Sequence, residues 1–537
     1  MTPTLAKHSA KPRTMKSAIL GPLLLALLVA LSFGSWAFSS AVGSGPDDDY
    51  HLGSIWCSSI SGPVCDEAPD DGGVLVPAAL QEAVDCISQK AQQSAGCQPF
   101  LDGTDARPDV ASGENNQTRN LYPDGYYQVA SLLKSDSIQA TALAVRFMNI
   151  GLFLFAGLGL FFALPLRLRA TWVWMWSLAV VPLAIFVIAS SNPSAWAIIA
   201  VASGWISLLG YLESSGPRAW VLGLAYALSA VLAISSRIDS VLYLAFATVI
   251  AVWLSDSRGK KLLVKIWPGF IGLALVILQL IINPANLARV VRGIGQRSEE
   301  YEDPLPWVTS PEVADGSAFD WSLFWHNLLA IPGLWLGVFG GYPWGSLGWL
   351  DTNVPQVVSL STIIVLAGLV FLASASADYK KLAGMLATVV ALWAIPLYLL
   401  QLGGFQAGEQ VQPRYLVPLM MVFLGTMLLT SSGKPLLSDP RALWFVIVAL
   451  SVANAIALHT NIRRYTTGIR VQGFNLNSPR EWWWPFFPDF LSPNVVWAIG
   501  TMAFGVLLWA LLMRVVPSIT RALELRETKD SASVSAP

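Results

Sequence analysis

A succession of apolar runs, each near the length of a bilayer crossing and separated by polar segments, confines this chain to a helical membrane architecture. The first run, 18–38, covers about 30 Å of hydrocarbon at ~1.5 Å per residue. Hydrocarbon offers no water to backbone N–H and C=O groups, so such a run must satisfy them internally as a helix. Further runs follow at 141–164, 171–189, 195–212, 219–234, 241–254, 266–282, 354–372, 382–402, 415–430, 443–458 and 495–516. Several are short, which suits helices broken along their length or sheltered by neighbours. Charged residues make up 12% of the 537, too few to coat a soluble globule of that size. The expected fold is an all-α polytopic bundle of about twelve crossings, with extracytoplasmic loops.

The charges orient the bundle. Lys7, Lys11, Arg13 and Lys16 precede the first run and predict a cytoplasmic N-terminus. Threading from there leaves Arg167, Arg169, Arg218 and the block Arg258 to Lys265 in the cytoplasm. The segment 328–341 is short and rich in glycine and tryptophan. Treated as re-entrant, it keeps Lys380, Lys381, Lys434 and Arg441 inside as well. The organisation expected is a cytoplasmic N-terminus (1–17), a first span (18–38), an extracytoplasmic loop (39–136), a polytopic domain (137–516) and a cytoplasmic tail (517–537). The first run exceeds a usual signal-peptide core and is read as an uncleaved span. The tail, ending in a Ser/Ala stretch, is expected to be solvated and disordered.

All four cysteines, Cys57, Cys65, Cys86 and Cys97, fall in the 39–136 loop. That confinement predicts an oxidising exterior and two disulfides, with three pairings open. No CxxC pair is present and His51 is the only nearby histidine, which disfavours zinc. The net charge of −1 and the lack of a basic patch or motif point away from nucleic acid. No Walker loop, GxSxG elbow, HExxH helix or dinucleotide fingerprint stands in a fitting context, which disfavours cytosolic ATP chemistry.

The strongest chemical signal follows the first span: Pro46-Asp47-Asp48-Asp49-Tyr50-His51. Adjacent carboxylates near a low-dielectric boundary repel one another, which raises at least one pKa and suits a proton acceptor or a metal ligand. The competing reading is that Asp47 to Asp49 cap a helix running on through His51. Arginines on the outer side oppose the usual charge bias: Arg237 beside Asp239, the group Arg289, Arg292 and Arg297, and Arg414 in Gln412-Pro413-Arg414-Tyr415. Arg414, at a span boundary, suits a bidentate grip on phosphate; a snorkelling anchor is the alternative. Tyr126 and Tyr127 follow a Pro-Asp-Gly turn and suit either sugar stacking or the interfacial aromatic belt. Asn192 in Asn192-Pro193-Ser194 marks a turn between spans. Glu481-Trp482-Trp483-Trp484 reads as an interfacial anchor.

These residues carry a resemblance to the DUF2142 family of bacterial multi-pass membrane proteins, grouped with GT-C-fold glycosyltransferases. Pro46-Asp47-Asp48-x-x-His51 resembles its Pro-Asp-Glu-x-x-His motif, with Asp48 at the Glu position. Tyr122-Pro123-Asp124-Gly125-Tyr126-Tyr127 approximates its Pro-Pro-Leu-Tyr-Tyr-like motif, one Pro short, and Asn192-Pro193-Ser194 its Asn-Pro-Ser. Gly345 to Thr352, containing Trp349 and Asp351, is similar to Gly-x-x-Gly-Trp-Leu-Asp-Thr, and Gln412-Pro413-Arg414-Tyr415 to Gln-x-Arg-Tyr. The resemblance implies a GT-C-like bundle that moves a sugar from a polyprenyl-phosphate donor to an envelope glycan or lipid acceptor, on the outer side of the bacterial cytoplasmic membrane. Asp48 would then be the base, aided by Asp47 or Asp49, with His51 orienting a carboxylate and Arg414 holding the phosphate. Gln412, Tyr415, Tyr126, Tyr127, Asn192, Trp349, Asp351, Arg237, Arg289 and Arg292 are candidate substrate contacts. The spacing neither requires nor forbids a divalent cation. The rival expectations are a transporter of lipid-linked glycan or polymer and a noncatalytic envelope-assembly subunit.

Overall fold

The structure, a computed structural model, describes residues 15–69, 73–103, 107–113, 115–257, 267, 268, 270, 274 and 319–534. Among the described residues nine helices are long and apolar enough to cross a membrane, and two shorter apolar helices, Ile238–Leu254 and Pro413–Leu428, run beside them. The chain is therefore a multi-pass helical membrane protein. Most of the expected span at 266–282, together with Arg289, Arg292 and Arg297, lies outside the described residues.

Burial sorts the helices. The most apolar windows of Leu166–Ile188 and Ser194–Glu213 are 100% buried, whereas those of the surrounding long helices are 33–44% buried. The outer helices keep Leu360, Phe371, Leu386 and Phe445 exposed, as a lipid-facing surface requires. Pro413–Leu428 has only 16 residues but is buried almost throughout, so neighbours cover what its length leaves short. The Leu166–Ile188 rod breaks at Val180–Ala184, where Val181 leaves helical geometry (φ −103°, ψ 131°) and Pro182 has no N–H to donate.

The bundle has two polar faces. On one, Arg167 pairs with Glu213 and reaches the Thr430 carbonyl, Lys380 pairs with Asp256 at 3.3 Å, and Lys434 pairs with Glu527 at 3.3 Å. The opposite face carries the carboxylate run and both disulfides, and is called here the site face. Its largest element is the 39–136 segment. Helices Asp48–Trp56, Ala78–Ile87, Asn116–Arg119 and Gly125–Ser131 fold there with two antiparallel strand pairs, Ser58–Ser59 with Gly62–Pro63 and Val74–Val76 with Val110–Ser112. The disulfides are Cys57–Cys65, which closes the first hairpin, and Cys86–Cys97.

One sequence expectation gains detail and another changes. Residues 328–341 belong mostly to one continuous helix, Trp321–Val338. Its start is tied to the end of helix Tyr379–Gly403: the Gln401 side chain donates to the Asp320 carbonyl at 3.0 Å, and Asn327 donates to the Phe405 carbonyl at 2.8 Å. Its other end meets Pro413, which a Cβ on Gly337 would approach to 2.6 Å. Both ends thus neighbour helix ends of the site face. The tail is not disordered after Pro517: Pro493–Ala510 passes through a wide turn at Leu511–Val515 into helix Val516–Val534. This continuation stays helical because Leu512, Val516 and Ile519 are buried against the bundle.

Candidate active site

The chain leaves the first span at Phe38 and is seized at once. Arg146, 1% exposed within helix Ile138–Ala163, donates to the carbonyls of Ala37 at 2.8 Å, Ser40 at 2.5 Å and Ala41 at 2.6 Å. Asn192 donates to the Pro46 carbonyl at 2.8 Å, while its own oxygen accepts from Ser194 N–H at 2.8 Å. The loop before the carboxylates is therefore pinned from two sides.

Those pins separate the carboxylates. Asp47 adopts a left-handed backbone (φ 57°, ψ 30°), which Asp tolerates better than most residues. It makes no side-chain cap bond. Its Oδ2 instead accepts from Arg414 Nη2 at 2.6 Å, and 38% of its side chain stays open against 3% for Arg414. Asp48 is wholly buried, and its Oδ2 accepts from the Gly45 N–H at 2.7 Å. Gly45 leaves the space: a Cβ there would lie 2.7 Å from Asp48 Oδ1. Asp49 accepts from the Tyr50 N–H at 2.8 Å.

The two environments also separate the acidities. Burial raises Asp47, but Arg414, then His51 and Arg237, prevail and hold it below its ordinary value of 3.8. Burial pushes Asp48 up to about 6, opposed only partly by Arg146 and the Gly45 bond. Adjacent acids pulled apart in this way are a recurrent mark of acid–base sites. His51 goes down to about 3, through burial and the nearby Arg414 and Arg237, against the pull of Asp47.

Arg414 stands at the first turn of Pro413–Leu428 and also donates to the Tyr415 hydroxyl at 2.9 Å. Among the described residues its Nε is buried without a partner, as is Gln412 Oε1. Arg237 stacks on the other partner of this motif, 3.9 Å from the Tyr415 ring, and is held by both oxygens of Asp239 at 2.9 and 3.0 Å. Beside Arg414 opens a small cleft walled by Pro46, Leu183, Phe186, Trp344, Leu350 and Gln412. One guanidinium at the end of an apolar crevice between span ends matches the chemistry of a lipid phosphate.

Other candidates have structural employment. Tyr126 and Tyr127 are wholly buried, which corrects both the sugar-stacking and the belt expectations; Tyr126 donates to the Ser191 carbonyl at 2.8 Å. Trp349 donates to the Gly43 carbonyl at 2.9 Å, and Asp351 pairs with Arg464 at 2.8 Å in the protein interior. Gly348 makes possible the hairpin that pairs Ser346–Leu347 with Thr352–Asn353: it sits at φ 61°, where a Cβ would come within 2.9 Å of the Tyr465 hydroxyl. Trp484 is 2% exposed and donates to the Phe38 carbonyl at 2.7 Å, so this tryptophan is a wedge under the first span rather than an interfacial anchor. Sequence reading missed Arg146 and Arg464. The first had a signal, an ionisable residue inside an apolar run; the second, which also donates to the Ile87 carbonyl at 2.9 Å, had none. Among the described residues no group of three or more His, Cys, Asp or Glu is arranged to hold a metal ion. Asp47 Oδ2 is held by Arg414 and Asp48 Oδ2 by the Gly45 N–H, while Asp48 Oδ1 is buried without a partner among the described residues.

The profile of the family described as Predicted membrane protein (DUF2142) matches residues 30–423. No curated protein and no solved structure matches the chain.

Proposed function

Starting from the chain's membership of the DUF2142 family of predicted membrane proteins, we propose that it is a GT-C-like glycosyltransferase using a polyprenyl-phosphate sugar donor. The observation that carries this reading is the Asp47–Arg414 pair, whose arginine lines a small apolar cleft between span ends. The family membership by itself supplies no reaction. The acceptor is an envelope glycan or lipid, and the site face is extracytoplasmic. Disulfides on that face and Arg167, Lys380 and Lys434 on the other support this orientation. Trp321–Val338 enters and leaves on the site face without crossing, as the neighbours of its two ends favour. With a crossing through 266–282 the count returns to twelve.

The roles follow from exposure and charge. Asp47, not the buried Asp48, is the base. With no donor bound, Arg414 holds Asp47 ionised and occupied. An arriving phosphate competes for the guanidinium, engaging the free Nε along with an Nη. Freed of that partner, Asp47 becomes a stronger base. It takes the proton of the acceptor hydroxyl as the acceptor oxygen bonds to the anomeric carbon. The bond from that carbon to the phosphate oxygen breaks, and the polyprenyl phosphate departs with the electron pair, its charge stabilised by Arg414. Arg237 fixes Tyr415, and through it Arg414.

The test is transfer of labelled sugar from a polyprenyl-phosphate donor by the purified protein in vesicles. Asp47→Asn should abolish transfer while donor binding survives. Arg414→Lys should weaken donor binding, because an ammonium cannot reproduce the planar grip. Normal turnover by a well-folded Asp47→Asn protein removes the base assignment. Lipid-linked sugar moved across the vesicle without transfer would favour the transporter.

A further inference from the structure

Among the described residues four that are not glycine adopt a left-handed backbone: Asp47, Gln89, Asn120 and Leu350. The first three have polar side chains, and Asp and Asn tolerate this region. Leu350, at φ 61°, is a bulky apolar residue in a conformation it rarely takes unless the surrounding fold imposes it. The imposition is visible on either side. Trp349 donates to the Gly43 carbonyl at 2.9 Å, on the segment that leads to Asp47; Asp351 accepts from Arg464 at 2.8 Å and from the Thr352 hydroxyl at 2.9 Å. With both neighbours clamped, and strands Ser346–Leu347 and Thr352–Asn353 paired, the turn between them has little freedom left.

What the strain secures is a place for the side chain. Leu350 is half-buried and lines the cleft that holds Arg414, together with Pro46, Leu183, Phe186 and Trp344. Trp344 is itself seated closely, since a Cβ on Gly333 would lie 2.5 Å from its indole. The apolar wall therefore begins at the guanidinium: Leu350 and Arg414 border the same small space. In a glycerophospholipid, glycerol and ester groups separate the phosphate from the hydrocarbon, and they would put polar atoms against these walls without partners. In a prenyl phosphate the hydrocarbon starts at the phosphate oxygen, which matches an arginine with apolar side chains directly beside it.

We propose that Leu350 is a donor-binding residue whose side chain packs against the first isoprene unit of a prenyl phosphate, the phosphate being held by Arg414. The lipid then lies in the cleft. The sugar extends from the phosphate toward Asp47, which pairs with Arg414 but does not line the cleft. The ligand class selected is a phosphate ester whose hydrocarbon begins at the ester oxygen. This rests on the glycosyl-transfer reading only for the sugar; the phosphate grip and its apolar neighbour belong to the cleft. It also gives a reason for leucine at a turn position where glycine would be less strained.

Binding by the full chain in phosphatidylcholine nanodiscs tests this, with geranyl phosphate and ethyl phosphate as probes. Both present the same phosphate to Arg414, and only the geranyl chain reaches Leu350. The wild-type protein should prefer geranyl phosphate, and Leu350→Gly should cut that preference about tenfold while ethyl phosphate binding stays in place. Glycine takes the left-handed backbone without strain, so this variant removes the side chain and adds no strain of its own. Leu350→Met restores an apolar contact and should recover most of the preference. A preference absent from the wild-type protein, or equal in wild type and Leu350→Gly, overturns the proposal. So does an equal loss of both probes, the mark of a merely structural residue. Stronger competition from a short-chain phosphatidylglycerol than from geranyl phosphate would assign the cleft to a membrane phospholipid and overturn it too. Sugar transfer by the wild-type protein with a preference that ignores Leu350 would overturn this role alone. A Leu350-dependent preference without transfer would overturn only glycosyl transfer.

Discussion

Replacing Asp48 by Asn should stabilise the protein at neutral pH, although Asp48 sits at the position where sequence alone would place the catalytic base. The wild-type carboxyl rises from an ordinary value of 3.8 to about 6 in the folded protein. The folded state therefore holds this proton more tightly than the unfolded chain. Below about pH 4 both states are protonated and the group costs nothing; between pH 4 and pH 6 the unfolded chain ionises first and stability is lost; above about pH 6 the loss is constant. Roughly two units at ~1.4 kcal/mol each give about 3 kcal/mol. Asn keeps an oxygen for the Gly45 N–H and never ionises, so the gap between variant and wild type should open from near zero at pH 4 to about 3 kcal/mol at pH 7.5. Thermal unfolding in detergent, followed by tryptophan fluorescence at a series of pH values, would read this as a Tm difference that grows with pH by a few degrees. A gap that is flat or closes with rising pH refutes the argument. Loss of transfer in a stabilised Asp48→Asn protein would return the base role to Asp48.

Thiol labelling of intact cells should find all four cysteines unreactive until reductant is added, and reactive then from outside; labelling from the cytoplasmic side would invert the topology. A reporter fused after Lys381 should behave as cytoplasmic, and an external signal would make Trp321–Val338 a crossing helix. Asp351→Ala should destabilise by about 3–5 kcal/mol, because it leaves the wholly buried Arg464 charge unpaired, and a melt unchanged within error would deny that pair a structural role.

Apolar runs were legible because hydrocarbon imposes one rule on every backbone group, and the boundaries at Phe38, Ala163 and Glu213 follow from it. Cysteine confinement was legible for the same kind of reason, a compartment acting on a residue type. The distinction between Asp47 and Asp48 was not. It depends on a left-handed turn at Asp47 and on Arg414, 367 positions away, and neither leaves a local trace. The helical tail was missed because its composition is polar, and beyond the expected span end at 516 Ile519 is the one described residue that is buried. Tyr126 and Tyr127 show the converse: aromatic residues beside a span suggest an interface, and only the tertiary fold buries them.

The clamp on the end of the first helix bears on how the protein is made. Phe38 is held by Trp484, Trp36 by Asn454 at 3.0 Å, and Ser39 and Ser40 by Asn461, each at 2.7 Å. The segment carrying Asp47 emerges from the ribosome among the first parts of the chain, yet the groups that close around its base are among the last. A nascent chain stopped after Arg414 would hold both partners of the candidate site, with the Arg146 and Asn192 pins, and lack the clamp on the end of the first helix. The outer end of the first helix is therefore completed late, when the 440–466 helix and the loop after it have been inserted.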